Sequence, residues 1–214
     1  MILYSAPLSP FAARVRLSIY RKGLDVTIKG PPVGGLTGPD YLALNPMGQL
    51  PALQLESGVV IPESAAILEY LEDAFPNPSL RPGNIETLAI ARLFLRIPDI
   101  HFQNAPRILL GMRNPADRRP ESVDPALANL ERALSYIDRF LEAGGGPWAV
   151  GGAPSIADCA LVPVLNAVSL VGRLYDRPDL LERPARLKGY WAAAQEEAVN
   201  ARVIAEQLAA ISGL

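Results

Sequence analysis

Two residue types that carry much enzyme chemistry are nearly missing from this chain. Of its 214 residues, one is cysteine and one is histidine. A lone Cys159 excludes an intrachain disulfide and any cysteine-rich metal site. A lone His101 argues against histidine-based zinc or triad chemistry. No run of about 18 uncharged apolar residues occurs, so no membrane span is expected. The opening MILYSAPLSP has no basic segment ahead of its apolar residues and does not read as a signal peptide. Neither charge dominates: 20 Lys and Arg stand against 22 Asp and Glu, interspersed, for a net charge of −2. No basic face therefore marks a nucleic-acid partner. The chain is half hydrophobic and one-fifth charged, an ordinary globular balance. These features lead us to expect a cytoplasmic protein without metal, long enough for one large domain or two small ones.

The first 76 residues and the rest differ in pattern. MILYS and DVTIKG are short β-like runs, and PALQLESGVVIPE reads as two strands around Ser57-Gly58. Between and after them lie helical patterns. One follows Pro10, with Val15, Leu17 and Ile19 apolar, and SAAILEYLEDAF carries Ile67, Leu68, Leu71 and Phe75 at helical spacing. The order β-α-β, an irregular stretch, then β-β-α predicts an α/β domain over 1–76, its first two strands parallel. Three prolines and a glycine in PNPSLRPGN mark a linker over 77–84.

Residues 85–214 read as an all-helical domain. Ile85 to about Leu110 predicts one long helix with a kink at Pro98. Asp124-Pro125 reads as the start of the next, whose stripe runs Leu127, Leu130, Leu134, Ile137 and Leu141. Glu142 to Gly146, EAGGG, reads as its stop. Ser155 to about Leu170 is apolar nearly all round, which predicts a buried central helix. RPARLKGYWAAAQEEAV predicts a further helix near the surface.

Four short motifs could carry chemistry or merely structure. Ser9-Pro10 sits at a strand-to-helix junction, where the serine can cap the helix. The same helix end favours an anion, a thiolate included, to which the hydroxyl could donate. Leu50-Pro51 precedes a strand. A cis bond there would free the backbone of residue 50 to pair with an extended peptide-like ligand, and an ordinary turn is the alternative. Pro62-Glu63-Ser64 opens a helix, either as a plain start or as a site for an α-amino-acid head group. Ser155-x-x-Asp158 is a capping box with Asp in the usual Glu position, and its role reads as structural.

Taken together, in this order and spacing, SPFAARVR, LNPMGQLPAL, PESAAI and SIADCALVP resemble the cytosolic glutathione transferases. The likeness covers essentially the whole chain. It lies with the serine-type classes and is closest to the zeta-type and tau-like bacterial members. It implies a thioredoxin-like N-terminal domain joined to an all-α C-terminal domain, a homodimer, and glutathione as co-substrate. It further implies that Ser9 hydrogen-bonds the glutathione sulfur and that Leu50, before cis-Pro51, pairs with the cysteinyl unit. Glu63 and Ser64 would bind the γ-glutamyl head, with Ser155 and Asp158 as the folding cap. No Lys or His stands obviously placed for the glycyl carboxylate; Gln49 ranks first and Lys29 second.

Such an enzyme would activate the glutathione thiol for attack on a small hydrophobic electrophile, by conjugation, dehalogenation or ether cleavage. Cis-trans isomerisation of the maleylacetoacetate or maleylpyruvate type is the alternative, as is a non-catalytic ligand carrier. Ser9-Pro10-Phe11 stands where zeta enzymes carry a Ser-Ser-Cys run, and Phe11 supplies no thiol, which turns the expectation toward conjugation. The electrophile is expected between the domains, near Pro7, Leu8, Phe11, His101, Gln103, Arg107 and Met112. Arg14 and Arg16 read as solvated or interface residues, Trp148 and Trp191 as packing residues, and Cys159 as an inert buried thiol.

Overall fold

The computed structural model describes residues 1–102, 104–141 and 147–212. Packing divides the chain into two compact units, residues 1–80 with 198–214, and residues 81–197.

The first unit is built on a four-stranded sheet of order β2-β1-β3-β4. Its strands are β1 (Ile2–Tyr4), β2 (Thr27–Lys29), β3 (Ala52–Gln54) and β4 (Val60–Pro62). β1 runs parallel to β2 and antiparallel to β3, and β3 is antiparallel to β4. This is the arrangement expected from the β-α-β and hairpin patterns. Helices α1 (Pro10–Lys22) and α3 (Ser64–Ala74) cover one face, where Leu3, Val15, Ile19, Leu53, Ile67 and Leu71 form a core. Side chains alternate across a strand, so Tyr4 points to the other face. There it packs with Ala52 and with Tyr41 of α2 (Pro39–Leu44). That short helix lies in the segment expected to be irregular. Gly23 ends α1 at φ 62°, its N–H bonding the carbonyls of Ile19 and Tyr20, a left-handed turn that glycine adopts at little cost.

The last helix, α9 (Ala198–Ser212), belongs to this first unit, although the sequence boundary placed 85–214 together. It packs on α1, where Arg21 donates to Asn200 (2.6 Å) and Tyr20 to Glu206 (2.9 Å).

The second unit is helical: α4 (Ile85–His101), α5 (Ala105–Gly111), α6 (Pro120–Phe140), α7 (Ile156–Leu174) and α8 (Ala185–Glu196). Two expectations are corrected here. The stretch from Ile85 is two helices, because the chain breaks at Phe102 and restarts with Pro106 in the first turn of α5; α4 continues through Pro98. α6 begins at Pro120 rather than at Asp124-Pro125, and carries Pro125 inside it. The expected stripe does face inward, with Leu130, Leu134, Ile137 and Leu141 buried. The EAGGG stop lies outside the described residues.

α7 is the buried central helix that its composition predicts. Among the described residues it alone is long and apolar enough to cross a membrane, and 78% of its apolar window is buried inside the protein. The Ser155/Asp158 capping box is formed at its start. Cys159 is buried, as is Trp191.

Candidate functional site

The sheet register gathers three of the four motifs. Tyr4 pairs with Ala52, and Ala52 with Pro62, in one row across β1, β3 and β4. The loop leaving Tyr4 toward Ser9, the Leu50-Pro51 step entering β3, and the Glu63-Ser64 step leaving β4 therefore emerge at the same end of the sheet. The N-termini of α1 and α3 start there as well. Two helix starts side by side supply unbonded N–H groups and positive dipole ends, a setting that favours an anion.

Ser9 is the cap of α1: its Oγ accepts from the Ala12 N–H at 3.2 Å, and Pro10 opens the helix. Capping uses one lone pair and leaves the hydroxyl proton. Among the described residues that proton has no acceptor. Ser9 is half-buried, flanked by exposed Leu8 and Phe11.

The Leu50-Pro51 bond is cis, as one of the two sequence alternatives had it. The turn before it is held from below. The Gln49 carbonyl accepts from Tyr41 Oη at 2.6 Å and from Asn45 Nδ2 at 2.8 Å. Gly48 has φ 60°, and a Cβ there would stand 3.1 Å from the Leu36 carbonyl oxygen, so a larger residue would displace the turn. Burial raises the pKa of Tyr41 above its ordinary value, keeping the phenol a donor. The Gln49 side chain is exposed, and Lys29, in register with Tyr4, lies exposed at the end of β2 with its Nζ 5.2 Å from the Tyr4 ring.

Glu63 has φ 69° and ψ 116° and is exposed, while Ser64 is buried. A non-glycine residue in this backbone region costs on the order of 1–3 kcal/mol and persists where its surroundings impose it. Arg14 is wholly buried and donates from Nη1 to Ser64 Oγ at 3.3 Å, with its guanidinium 4.6 Å from the Phe11 ring centroid. Arg16 is 3% exposed and bonds Ser5 Oγ (2.7 Å), the Ala6 carbonyl (3.0 Å) and the Pro7 carbonyl (3.0 Å). Both arginines were expected to be solvated or interface residues. Both are instead buried: the planar fork of Arg16 finds several acceptors at once, most of them in the loop that leads to Ser9, while Arg14 joins Ser64 and the Phe11 ring.

The remaining candidates divide between the units. Pro7, Leu8 and Phe11 are exposed in the first. In the second, Arg107 and Met112 line one cavity of about 480 Å³ with Asn104, Ile108 and Ser122. Tyr175 fixes that segment by donating to the carbonyls of Leu109 (2.8 Å) and Met112 (2.9 Å). Arg107 has no hydrogen-bond or ion-pair partner among the described residues. His101 is exposed and sets its ring against Tyr136 at 5.2 Å. Gln103 lies outside the described residues. Among the described residues no group of three His, Cys, Asp or Glu could hold a metal.

Comparison with known proteins identifies the family. Residues 3–79 match the family model for the glutathione S-transferase N-terminal domain, and 120–193 that for the C-terminal domain. A maleylacetoacetate isomerase of Pseudomonas aeruginosa is 32% identical over 197 residues, covering 87% of this chain and 90% of its own length. Glutathione S-transferase 1 of Dianthus caryophyllus is 31% identical over 172 residues, 78% of this chain and 76% of its own. Among solved structures, a maleyl pyruvate isomerase described as a bacterial zeta-class glutathione S-transferase superposes with TM-score 0.77 at 25% identity, covering 97% and 98% of the two chains. A glutathione S-transferase of Methylobacterium radiotolerans in complex with glutathione sulfonate gives 0.78 at 26%, covering 95% and 93%.

Proposed function

The chain belongs to the glutathione S-transferase family, with a thioredoxin-like N-terminal domain and a helical C-terminal domain, and we propose that it is a glutathione-dependent cis-trans isomerase of a maleyl-type carboxylate. The observation that carries this is the near end-to-end match to a maleylacetoacetate isomerase. It reverses the preference for conjugation drawn from Phe11.

In this proposal glutathione lies along the end of the sheet. The α1 start and the Ser9 hydroxyl stabilise its sulfur as thiolate; a free thiol titrates at about 8.5, so little is ionised at neutral pH otherwise. The backbone of Leu50 meets the cysteinyl unit, Ser64 with Arg14 takes the γ-glutamyl carboxylate, and Glu63 takes its ammonium. Gln49 serves the glycyl end. The thiolate adds to the cis double bond, its electron pair moving to the conjugated carbonyl as an enolate. The former double bond, now single, rotates; the enolate collapses and expels the thiolate, so no glutathione is consumed. Ser9 donates a hydrogen bond throughout and is not a nucleophile, since among the described residues no base hydrogen-bonds to it. A homodimer and a cytoplasmic location belong to this proposal on the family likeness alone.

Conjugation of an apolar electrophile is the second reading, favoured by the exposed Leu8 and Phe11 on either side of Ser9. One assay separates the two. With maleylpyruvate and limiting glutathione, an isomerase converts many equivalents and leaves the free-thiol titre unchanged. Loss of one thiol per product, or turnover of an aryl chloride alone, supports conjugation and overturns isomerisation.

A further inference from the structure

Ser9 is placed by a turn whose closing bond runs from its own N–H to the Ala6 carbonyl (3.1 Å). That carbonyl also accepts from Arg16 Nη1 (3.0 Å), and the same guanidinium holds the oxygens on either side of it, Ser5 Oγ and the Pro7 carbonyl. The remaining edge of Arg16 points the other way: Nε donates to Glu206 Oε2 at 2.9 Å. Glu206 is on α9, 190 residues further along the chain. Its second oxygen accepts from Tyr20 Oη at 2.9 Å and pairs with Arg202 at 3.4 Å. A cavity of about 610 Å³, bounded by Ser5, Arg16, Tyr20 and Glu206, lies against this chain of bonds. Directional polar bonds, rather than close apolar packing, therefore hold the loop on that side.

We infer that Glu206 is a positioning residue for the Ser9 hydroxyl, acting through Arg16. The inference rests on the proposal that Ser9 donates to the glutathione sulfur. Arg16 is nearly inaccessible to solvent, so its charge needs a fixed counter-charge to remain in one orientation. Glu206 supplies it and sets the plane of the fork. With Glu206 neutral, the fork can turn and the Ala6 carbonyl loses a bond that locates Ser9. A hydrogen bond to sulfur weakens steeply as its angle degrades, and small displacements of a catalytic donor are costly. The C-terminal helix thus contributes to thiol activation without touching glutathione.

The test compares Glu206→Gln, Glu206→Asp, Tyr20→Phe and Ser9→Ala in the full-length protein. Readouts are the ultraviolet titration of the thiol of bound glutathione, kcat and KM for glutathione, and the thermal midpoint. For Glu206→Gln the expected result is a thiol titration displaced upward by about one pH unit and kcat at neutral pH lower by about tenfold, with KM within about twofold. Glu206→Asp keeps the charge and recovers part of the shift; it also carries the test if the Gln variant does not fold. Tyr20→Phe leaves the Arg16 bond intact and changes only the midpoint. A Glu206→Gln enzyme with wild-type titration and kcat, beside a Ser9→Ala enzyme in which both move, overturns the inference while leaving the role of Ser9 standing. A titration unmoved in Ser9→Ala overturns the role of Ser9 first, and this inference with it.

Discussion

Arg14 Nη1 lies 3.3 Å from Ser64 Oγ, joining the interior of α1 to the first residue of α3. This bond ties the two helix starts that flank the candidate glutathione site, with the guanidinium wholly buried. Arg14→Met removes a cation from beneath the proposed carboxylate position. A charge-assisted hydrogen bond contributes about 1.5–3 kcal/mol, so KM for glutathione should rise by about tenfold or more, at about 1.4 kcal/mol per decade. kcat at saturating glutathione should change far less. Steady-state kinetics at varied glutathione checks this; a fall in kcat at constant KM would contradict it.

Lys22 and Glu72 form a buried pair at the far end of the same two helices, 2.7 Å apart. Lys22 Nζ also donates to the carbonyls of Phe75 and Pro78, and Glu72 accepts from the Leu80 N–H at 2.9 Å. Segment 75–80 is thereby tied to α1 and α3. Lys22→Met leaves a buried carboxylate and two carbonyls without their cation, at a cost of about 3–5 kcal/mol. In a chain of this length that lowers the thermal midpoint by about 10 °C. Calorimetry checks it, and a midpoint within a degree of wild type would refute the pair's role.

Asp158 accepts from the Ala149 and Ser155 N–H groups and from the hydroxyls of Ser155 and Tyr190. Burial pushes its carboxyl above the usual range, and these hydrogen bonds act in the opposite direction. A carboxyl that titrates higher in the folded state takes up its proton there first. Its contribution to stability is therefore greatest at low pH and declines as pH rises through the folded value. Asp158→Asn should cost about 2–3 kcal/mol at neutral pH, since the amide cannot accept on both atoms. The gap between wild type and variant should narrow as pH rises above about 4, the ordinary carboxyl range. Denaturant unfolding at several pH values measures this, and a gap that widens with pH would contradict the direction given.

The first unit was legible because its signals are local. Ser9-Pro10, the Ser57-Gly58 turn and the short β-like runs around Leu3 and Leu53 each specify an element within a few residues. The helix α2 was not, because six residues give too little periodicity. A proline misled at Pro125, which lies inside α6 rather than at its start. An established helix can absorb one lost backbone bond, whereas Pro106 and Pro120 occupy the first-turn positions that begin new helices. In the candidate site, Ser9, Leu50-Pro51, Glu63 and Ser64 were singled out by their motifs and by the family resemblance, and strand register explains why they emerge at one end of the sheet. The roles of Arg14 and Arg16 could not be found this way. Arg14 donates to Ser64, 50 residues away, and the Nε of Arg16 to Glu206, 190 residues away, and an arginine on a helix carries no local sign of being buried.

The hydroxyl of Ser9 caps α1 with one lone pair, and in the proposed reaction its proton goes to the glutathione sulfur. Titrating the thiol of glutathione bound to the wild type and to Ser9→Ala tests this most directly. The wild type should hold the thiol ionised well below its free value of about 8.5, and the variant should return the titration upward by about one to two units. Glutathione affinity should change little. Coincident titration curves for the two proteins would contradict the assignment of Ser9.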